Sequence, residues 1–446
     1  MKVYNAIDTL VIVLNTDPIL KCAQVVANVR AARGLNTGED SCFHAGLGEI
    51  TIVNDRNAVP EIEVTIEKWV YGGDGLARAD GKVVLVPFTL PGERVKAAAG
   101  NGVHAVLREV MSPAAERVPA PCPLFQTCGG CSYQHAPADF QLARKAEILR
   151  EQLRRVGKIP YEGGIETISG PAYGYRNRAQ FHISDGRIGY LAARSHNLVA
   201  LEGECPLLSP RLNQALAEMR KRLNDPRFPR FLRSVELFTD ERQIQVNILE
   251  ADRKVAKRFF EWCESVEFIE YQTANGPLRV GPQSFFQSNR FLLDNLVSAA
   301  TDNQAGETAW DLFAGVGLFT IPLAKQFHSV TAVESGAGAA HDLAVNAERS
   351  GGNIATQRAR VEDFLRDAKQ APDFMLLDPP RPGLGPAITR ELERLAAPLI
   401  TIVSCDPATL ARDVAALPSY TIERMVLVDL FPQTFHLESI VHLRRK

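Results

Sequence analysis

Trp310-Asp-Leu-Phe-Ala-Gly-Val-Gly-Leu-Phe-Thr320 decides the fold of this chain. An apolar strand end runs into a turn with two glycines and then into helical text from Phe319 to Phe327. In that order an open α/β sheet presents a ligand crevice at the carboxyl end of its first strand, where Gly315 and Gly317 let the backbone approach a ligand closely. Alone, Gly-x-Gly describes many tight turns. Val330-Thr-Ala-Val-Glu334 narrows the choice, because a second short strand ends there on a carboxylate able to accept hydrogen bonds from both hydroxyls of an adenosine ribose. NAD and S-adenosylmethionine both satisfy that arrangement. The third glycine of the dinucleotide form is replaced here by Thr320.

Further along, Phe374-Met-Leu-Leu377 and Leu399-Ile-Thr-Ile-Val403 alternate with helical segments, as in a doubly wound parallel sheet. The first leads into Asp378-Pro-Pro-Arg381 and the second into Ser404-Cys-Asp-Pro407, which sets Gly315, Asp378 and Cys405 on one sheet edge. A helix is expected from Ala408, and its N-terminus favours a thiolate at Cys405, a candidate nucleophile. Carbon C5 of uracil is a poor nucleophile, and a thiolate that adds to C6 creates an enolate able to take a methyl group at C5. The C5 proton must then go to a base. Phe431-Pro-Gln-Thr-Phe-His-Leu-Glu438 offers His436 and Glu438.

Asp311 to Gly317, Glu334 and Asp378-Pro-Pro together resemble the nucleotide pattern of S-adenosylmethionine-dependent methyltransferases. Ser404 to Arg412 with Phe431 to Leu443 closely resembles the RNA uracil-5-methyltransferase family, a resemblance that covers about 60–446. It implies that Cys405 is the nucleophile and Glu438 the acceptor of the C5 proton, with the target uridine taken out of its stack. It also implies a cofactor pocket of Gln287, Phe313, Gly315, Glu334 and Asp378, the last facing the target base as well. Leu318 departs from members that carry Asn there, so no cofactor contact is assigned to it.

Upstream, Glu61-Ile-Glu-Val-Thr-Ile-Glu67 alternates at period two, Tyr71-Gly-Gly-Asp-Gly75 breaks the chain, and Lys82-Val-Val-Leu-Val86 resumes, which predicts a small β-barrel over about 60–117. It resembles a TRAM domain, an OB-like RNA-binding barrel. Trp69, Tyr71 and Phe88 are then candidates to stack bases, and Lys68, Arg78, Lys82 and Arg94 to meet phosphates. Pro113, Pro119, Pro121 and Pro123 mark a linker into Cys122-x5-Cys128-Gly-Gly-Cys131, with Cys205 in Gly203-Glu-Cys-Pro206 as a fourth sulfur. Four sulfurs suit tetrahedral zinc or a [4Fe–4S] cluster. Resemblance to family members with the same cysteine pattern implies [4Fe–4S], in a structural or substrate-ordering role. A helix with basic residues is expected to follow the cysteines, its apolar positions running from Leu142 to Val156.

The 446 residues, 46% hydrophobic and 23% charged, exclude collagen, long coiled coil and wholesale disorder. A net charge of −2 gives no global attraction to nucleic acid, so RNA must be met by a local basic patch. The early apolar run Leu10 to Leu14 is too short to span a membrane, and eight cysteines are too sparse for a disulfide scaffold. The expectation is a cytoplasmic monomer without a membrane partner. Its parts are an extension of unknown role at 1–59, the barrel at 60–117, a central α+β domain at 118–270 and a Rossmann-like methyltransferase domain at 271–446.

The barrel with four cysteines resembles the family members that act on 23S ribosomal RNA, whereas others act on the T-loop of transfer RNA. Two rivals stand outside this reading. Amino-group methylases usually follow Asp-Pro-Pro with an aromatic, where Arg381 stands here. A non-catalytic RNA-binding iron–sulfur scaffold would have no need of the intact set Gly315, Glu334, Asp378, Cys405 and Glu438.

Overall fold

The computed structural model describes residues 61–446 apart from Asn101 and Gln283, so the extension at 1–59 lies outside the described residues. The barrel is built from two three-stranded antiparallel sheets. One orders Glu61–Thr65, Arg94–Ala99 and Ala105–Ser112, and the other Lys68–Trp69, Asp74–Ala79 and Lys82–Pro87. Inward-facing Val64, Ile66, Ala77, Val86, Val95 and Ala97 fill it, as the alternation requires.

Trp69 does not face RNA. It is 2% exposed, its indole stacks on Tyr133 at 4.0 Å, and its Nε1 donates to the Thr89 carbonyl at 2.6 Å. Leu90, Tyr133, Ala136 and Ile148 complete its surroundings, so this aromatic seals the barrel against the segment after the cysteines. Lys68 is likewise engaged, with its Nζ 2.5 Å from Glu151, while Phe88 packs edge-on against Phe125.

The central domain holds a five-stranded antiparallel sheet in the order Leu198–Ala200, Arg187–Leu191, Arg178–Ser184, Leu232–Thr239, Ile244–Ala251. Helix Pro210–Leu223 lays Leu212, Leu216, Met219 and Leu223 on it. That helix starts where Ser209 Oγ accepts from the Leu212 amide and Pro210 takes the first helical position.

The C-terminal sheet has eight strands in the order Ile354–Arg358, Phe327–Glu334, Gly306–Leu312, Phe374–Leu377, Leu399–Ser404, Glu438–Arg445, Tyr420–Val428, Ile165–Ile168. The first five run parallel; Glu438–Arg445 is antiparallel to its neighbours on both sides. Strand order reverses between Gly306–Leu312 and Phe374–Leu377, the switch point where such sheets open a crevice.

Two elements expected in the central domain join this layer instead. Ile165–Ile168 pairs with Met425–Val428, and helix Ala138–Arg155 sinks Leu149 and Leu153 into the core that contains Met375, Ile400, Leu410 and Leu427. The helix after the glycine turn is also shorter than expected. It spans Thr320–Ala324, because Phe327 already belongs to the next strand, where its ring stacks on Phe374 at 5.6 Å.

Candidate active site

The carboxyl edge of the large sheet gathers the residues singled out in the sequence. Strand Gly306–Leu312 is followed by Phe313, whose φ of +66° is unusual for a bulky side chain and turns the backbone sharply. Gly315 follows at φ +57° with no heavy atom within 4 Å of where a Cβ would stand, so its face of the turn is open to a ligand. Glu334 closes this turn from the next strand: one carboxylate oxygen accepts from the Gly315 amide at 3.0 Å and the other from the Gly336 amide at 2.6 Å. A carboxylate fixed beside an open glycine turn fits an adenosine cofactor.

Gln287 is buried in a segment tied down at both ends. Ser284 Oγ donates to Asp342 at 2.5 Å, and Asn289 Nδ2 donates to the Leu430 carbonyl at 2.9 Å. Beneath the turn, Asp311 is fully buried and accepts from Thr320 Oγ1 at 2.5 Å, and burial raises its carboxyl to about 7. Asp378 follows Phe374–Leu377, and its amide donates to the Leu312 carbonyl at 3.3 Å. Burial, reinforced by Asp311, raises Asp378 to about 7 as well.

Cys405 follows strand Leu399–Ser404. Ser404 pairs with Ser439 in the antiparallel ladder, so the next residue on each side brings Cys405 to Glu438. The helix starts at Pro407 and is capped by Asp406, whose Oδ1 accepts from the amides of Ala408 and Thr409, both at 2.9 Å. The expected stabilisation of a thiolate is not what this environment produces. Burial, then Glu438, push the thiol up to about 11; Asp378 and Asp406 add to this while Arg381 opposes it. Burial and the neighbouring carboxyl groups both disfavour the thiolate here.

Glu438 is 3% exposed and held well above the usual carboxylate range by burial and by Asp378, against the pull of Arg381. His436, the other candidate base, is lowered to about 4 by burial and then by Arg381 and further cations. Its ring lies 4.3 Å from that of Phe435, and its Nδ1 is 3.4 Å from an Arg381 nitrogen. An imidazole depressed that far is a poor proton acceptor, whereas a carboxylate with a raised pKa is a better one. Arg381 is an exposed cation that influences the thiol, Glu438 and His436 together. Its sequence signal was only its place after two prolines.

Cys122, Cys128, Cys131 and Cys205 line one cavity of about 200 Å³, together with Gln134, Tyr190, Thr434 and His436. Gln134 Nε2 donates to Cys131 Sγ at 3.0 Å and the Gly130 amide to Cys128 Sγ at 3.4 Å. The donor set fits a thiolate-ligated centre. Among the described residues no three His, Cys, Asp or Glu side chains are drawn together around the position of a single metal ion.

Sequence reasoning missed what the barrel contributes. Tyr71, a candidate for base stacking, donates its hydroxyl to Asp406 Oδ2 at 3.2 Å and sets its ring edge-on to Phe435 at 5.8 Å. No local signal announces a contact between residues this far apart in the chain.

Residues 233–446 match the model of the tRNA (Uracil-5-)-methyltransferase family and residues 56–99 that of the TRAM domain. The chain is similar along its length to a 23S rRNA (uracil(1939)-C(5))-methyltransferase RlmD of Halomonas elongata, at 34% identity over 85% of this chain and 89% of the relative. An uncharacterized RNA methyltransferase of Aquifex aeolicus is 32% identical over 86% of this chain and 99% of its own. Among solved structures, a Pyrococcus abyssi tRNA (uracil-54, C5)-methyltransferase in complex with S-adenosyl-L-homocysteine superposes with a TM-score of 0.69 at 25% identity. It covers 86% of this chain and 100% of that one.

Proposed function

The chain belongs to the RNA uracil-5-methyltransferase family, and from that premise we propose that it methylates C5 of one uridine in 23S ribosomal RNA through Cys405 and Glu438. The observation that carries the reading is the register of Leu399–Ser404 against Glu438–Arg445, which brings a thiol and a buried carboxyl together at the cofactor edge. An amino-group methylase has no use for that pair.

S-adenosylmethionine, when bound, supplies an electrophilic methyl group. Glu334 and the Gly315 turn would hold the adenosine end, and Gln287, Phe313 and Asp378 would face the rest of the cofactor. Cys405 gives its proton up to solvent as the base enters, and its sulfur adds to C6, which moves the electron pair of the C5–C6 double bond to C5, where the methyl group is taken up. After methylation Glu438 accepts the C5 proton, the double bond re-forms and the C6–S bond breaks. Glu438 takes that proton in its ionised form, and a carboxylate of raised pKa binds it more strongly than a solvated one.

The choice of 23S ribosomal RNA rests on the Halomonas relative, whose similarity covers 85% of this chain. A cytoplasmic site of action follows from that substrate. Four cysteine sulfurs lining one cavity suit a [4Fe–4S] cluster, as the family resemblance implies, and Cys122, Cys128, Cys131 and Cys205 would hold it.

RNA carrying 5-fluorouridine tests the chemistry. Fluorine at C5 cannot leave as a proton does, so the methylated adduct stays bound to sulfur. A band stable in denaturant, absent for Cys405→Ala, is the expected result. Turnover by Cys405→Ala at the wild-type rate overturns the assignment.

A further inference from the structure

Tyr71 reaches from the barrel to both halves of the catalytic pair. Its hydroxyl donates to Asp406 Oδ2 at 3.2 Å, directly beside Cys405, and its ring meets Phe435 in the loop that leads to Glu438. Gly73 makes this approach possible. At φ +96°, a Cβ there would lie 3.1 Å from Ser132 Cβ and 3.4 Å from Phe435 Cβ, so a side chain would lift the turn off the loop.

We infer that Tyr71 is a positioning residue through which the barrel holds the segment bearing Cys405 against the segment bearing Glu438. This rests on the reading of Cys405 as nucleophile.

The hydrogen bond also has an electrostatic effect. Asp406 uses Oδ1 for the helix amides, which leaves Oδ2 to Tyr71. Burial and the Asp406 carboxylate keep the Tyr71 hydroxyl protonated, so it is always a donor. The groups that act on the Cys405 thiol are Glu438, Asp378 and Asp406, which oppose ionisation, and Arg381, which favours it. Those that act on Tyr71 are Asp406, Cys405 and Arg381. A hydroxyl dipole aimed at Asp406 damps the field of that carboxylate at the thiol. Without it the thiolate becomes harder to form.

The test compares wild type with Tyr71→Phe, which keeps the ring and removes the donor, using the full chain. Alkylation of Cys405 by iodoacetamide is followed against pH by mass spectrometry of its peptide, alongside kcat and KM on RNA. For Tyr71→Phe the alkylation midpoint should move to higher pH. Turnover at neutral pH should fall roughly tenfold, with KM for RNA unchanged and the deficit shrinking as pH rises. Tyr71→Ala, which also loses the Phe435 contact, should be slower still and recover less at high pH.

An unchanged alkylation midpoint for Tyr71→Phe overturns the inference. So does a rise in KM with kcat intact, which would make Tyr71 an RNA contact. If wild type forms no adduct with 5-fluorouridine RNA, the methylation reading fails while the alkylation midpoint still decides the role of Tyr71.

Discussion

Lys145 and Asp429 form an ion pair at 2.7 Å with side chains 0% and 3% exposed, joining the helix after the cysteines to the start of the loop that carries Glu438. Lys145 Nζ also donates to the Phe431 carbonyl at 3.0 Å, and Gln141, one turn earlier, exchanges hydrogen bonds with Gln433. The Gln433 carbonyl accepts from the amides of Ser132 and Tyr133. Helix, cysteine segment and the loop before Glu438 are therefore one hydrogen-bonded unit, with a buried lysine from the basic helix at its centre.

Lys145→Ala leaves Asp429 buried without its partner, so the variant should lose about 3–5 kcal/mol of stability. Urea unfolding measures this. The double variant Lys145→Met/Asp429→Leu should recover most of the loss, since two apolar side chains leave no buried charge unpaired.

Glu438→Gln separates addition from elimination. The carboxamide cannot take the C5 proton, so Cys405 should still add to unmodified RNA while the methylated adduct accumulates. A denaturing gel with ordinary RNA should show a retarded band that wild type lacks, with product release reduced at least 10²-fold, roughly the value of a general base.

Asp311 makes stability fall as pH rises. Its folded-state carboxyl is raised from 3.8 to about 7, so between those values the folded protein binds more protons than the unfolded chain. Folding stability declines across that window by an amount on the order of a few kcal/mol. Asp311→Asn keeps an acceptor for Thr320 Oγ1 and removes the titration, so its Tm should change less between pH about 4 and 7 than that of wild type.

The cysteine cavity predicts about four iron and four sulfide per chain in protein isolated without oxygen. Cys128→Ser should lose both, together with the cluster's visible absorbance. Stoichiometric zinc in place of iron would contradict the assignment.

Much of the site was legible because each element is local. Phe313, Glu334, Asp378 and Cys405 each follow or end a short apolar strand, and ordered strand ends predict a shared edge. Contacts made across the chain were not legible. Ile165–Ile168 is four residues whose partner, Met425–Val428, no alternation can name. Trp69 reads as an exposed barrel aromatic until Tyr133 covers it, and Tyr71 as a base-stacking ring until Asp406 comes within 3.2 Å. The upward shift of the Cys405 thiol was hidden for the same reason, since it comes from burial in the fold and then from Glu438, and with it Asp378, on other strands.

Mass spectrometric mapping of 5-methyluridine in ribosomal and transfer RNA, from cells with and without this protein, decides whether the protein methylates 23S ribosomal RNA. The mark should be lost at a single position of 23S ribosomal RNA, restored by wild type and not by Cys405→Ala. Loss confined to transfer RNA, or an unchanged pattern in both, would contradict that assignment.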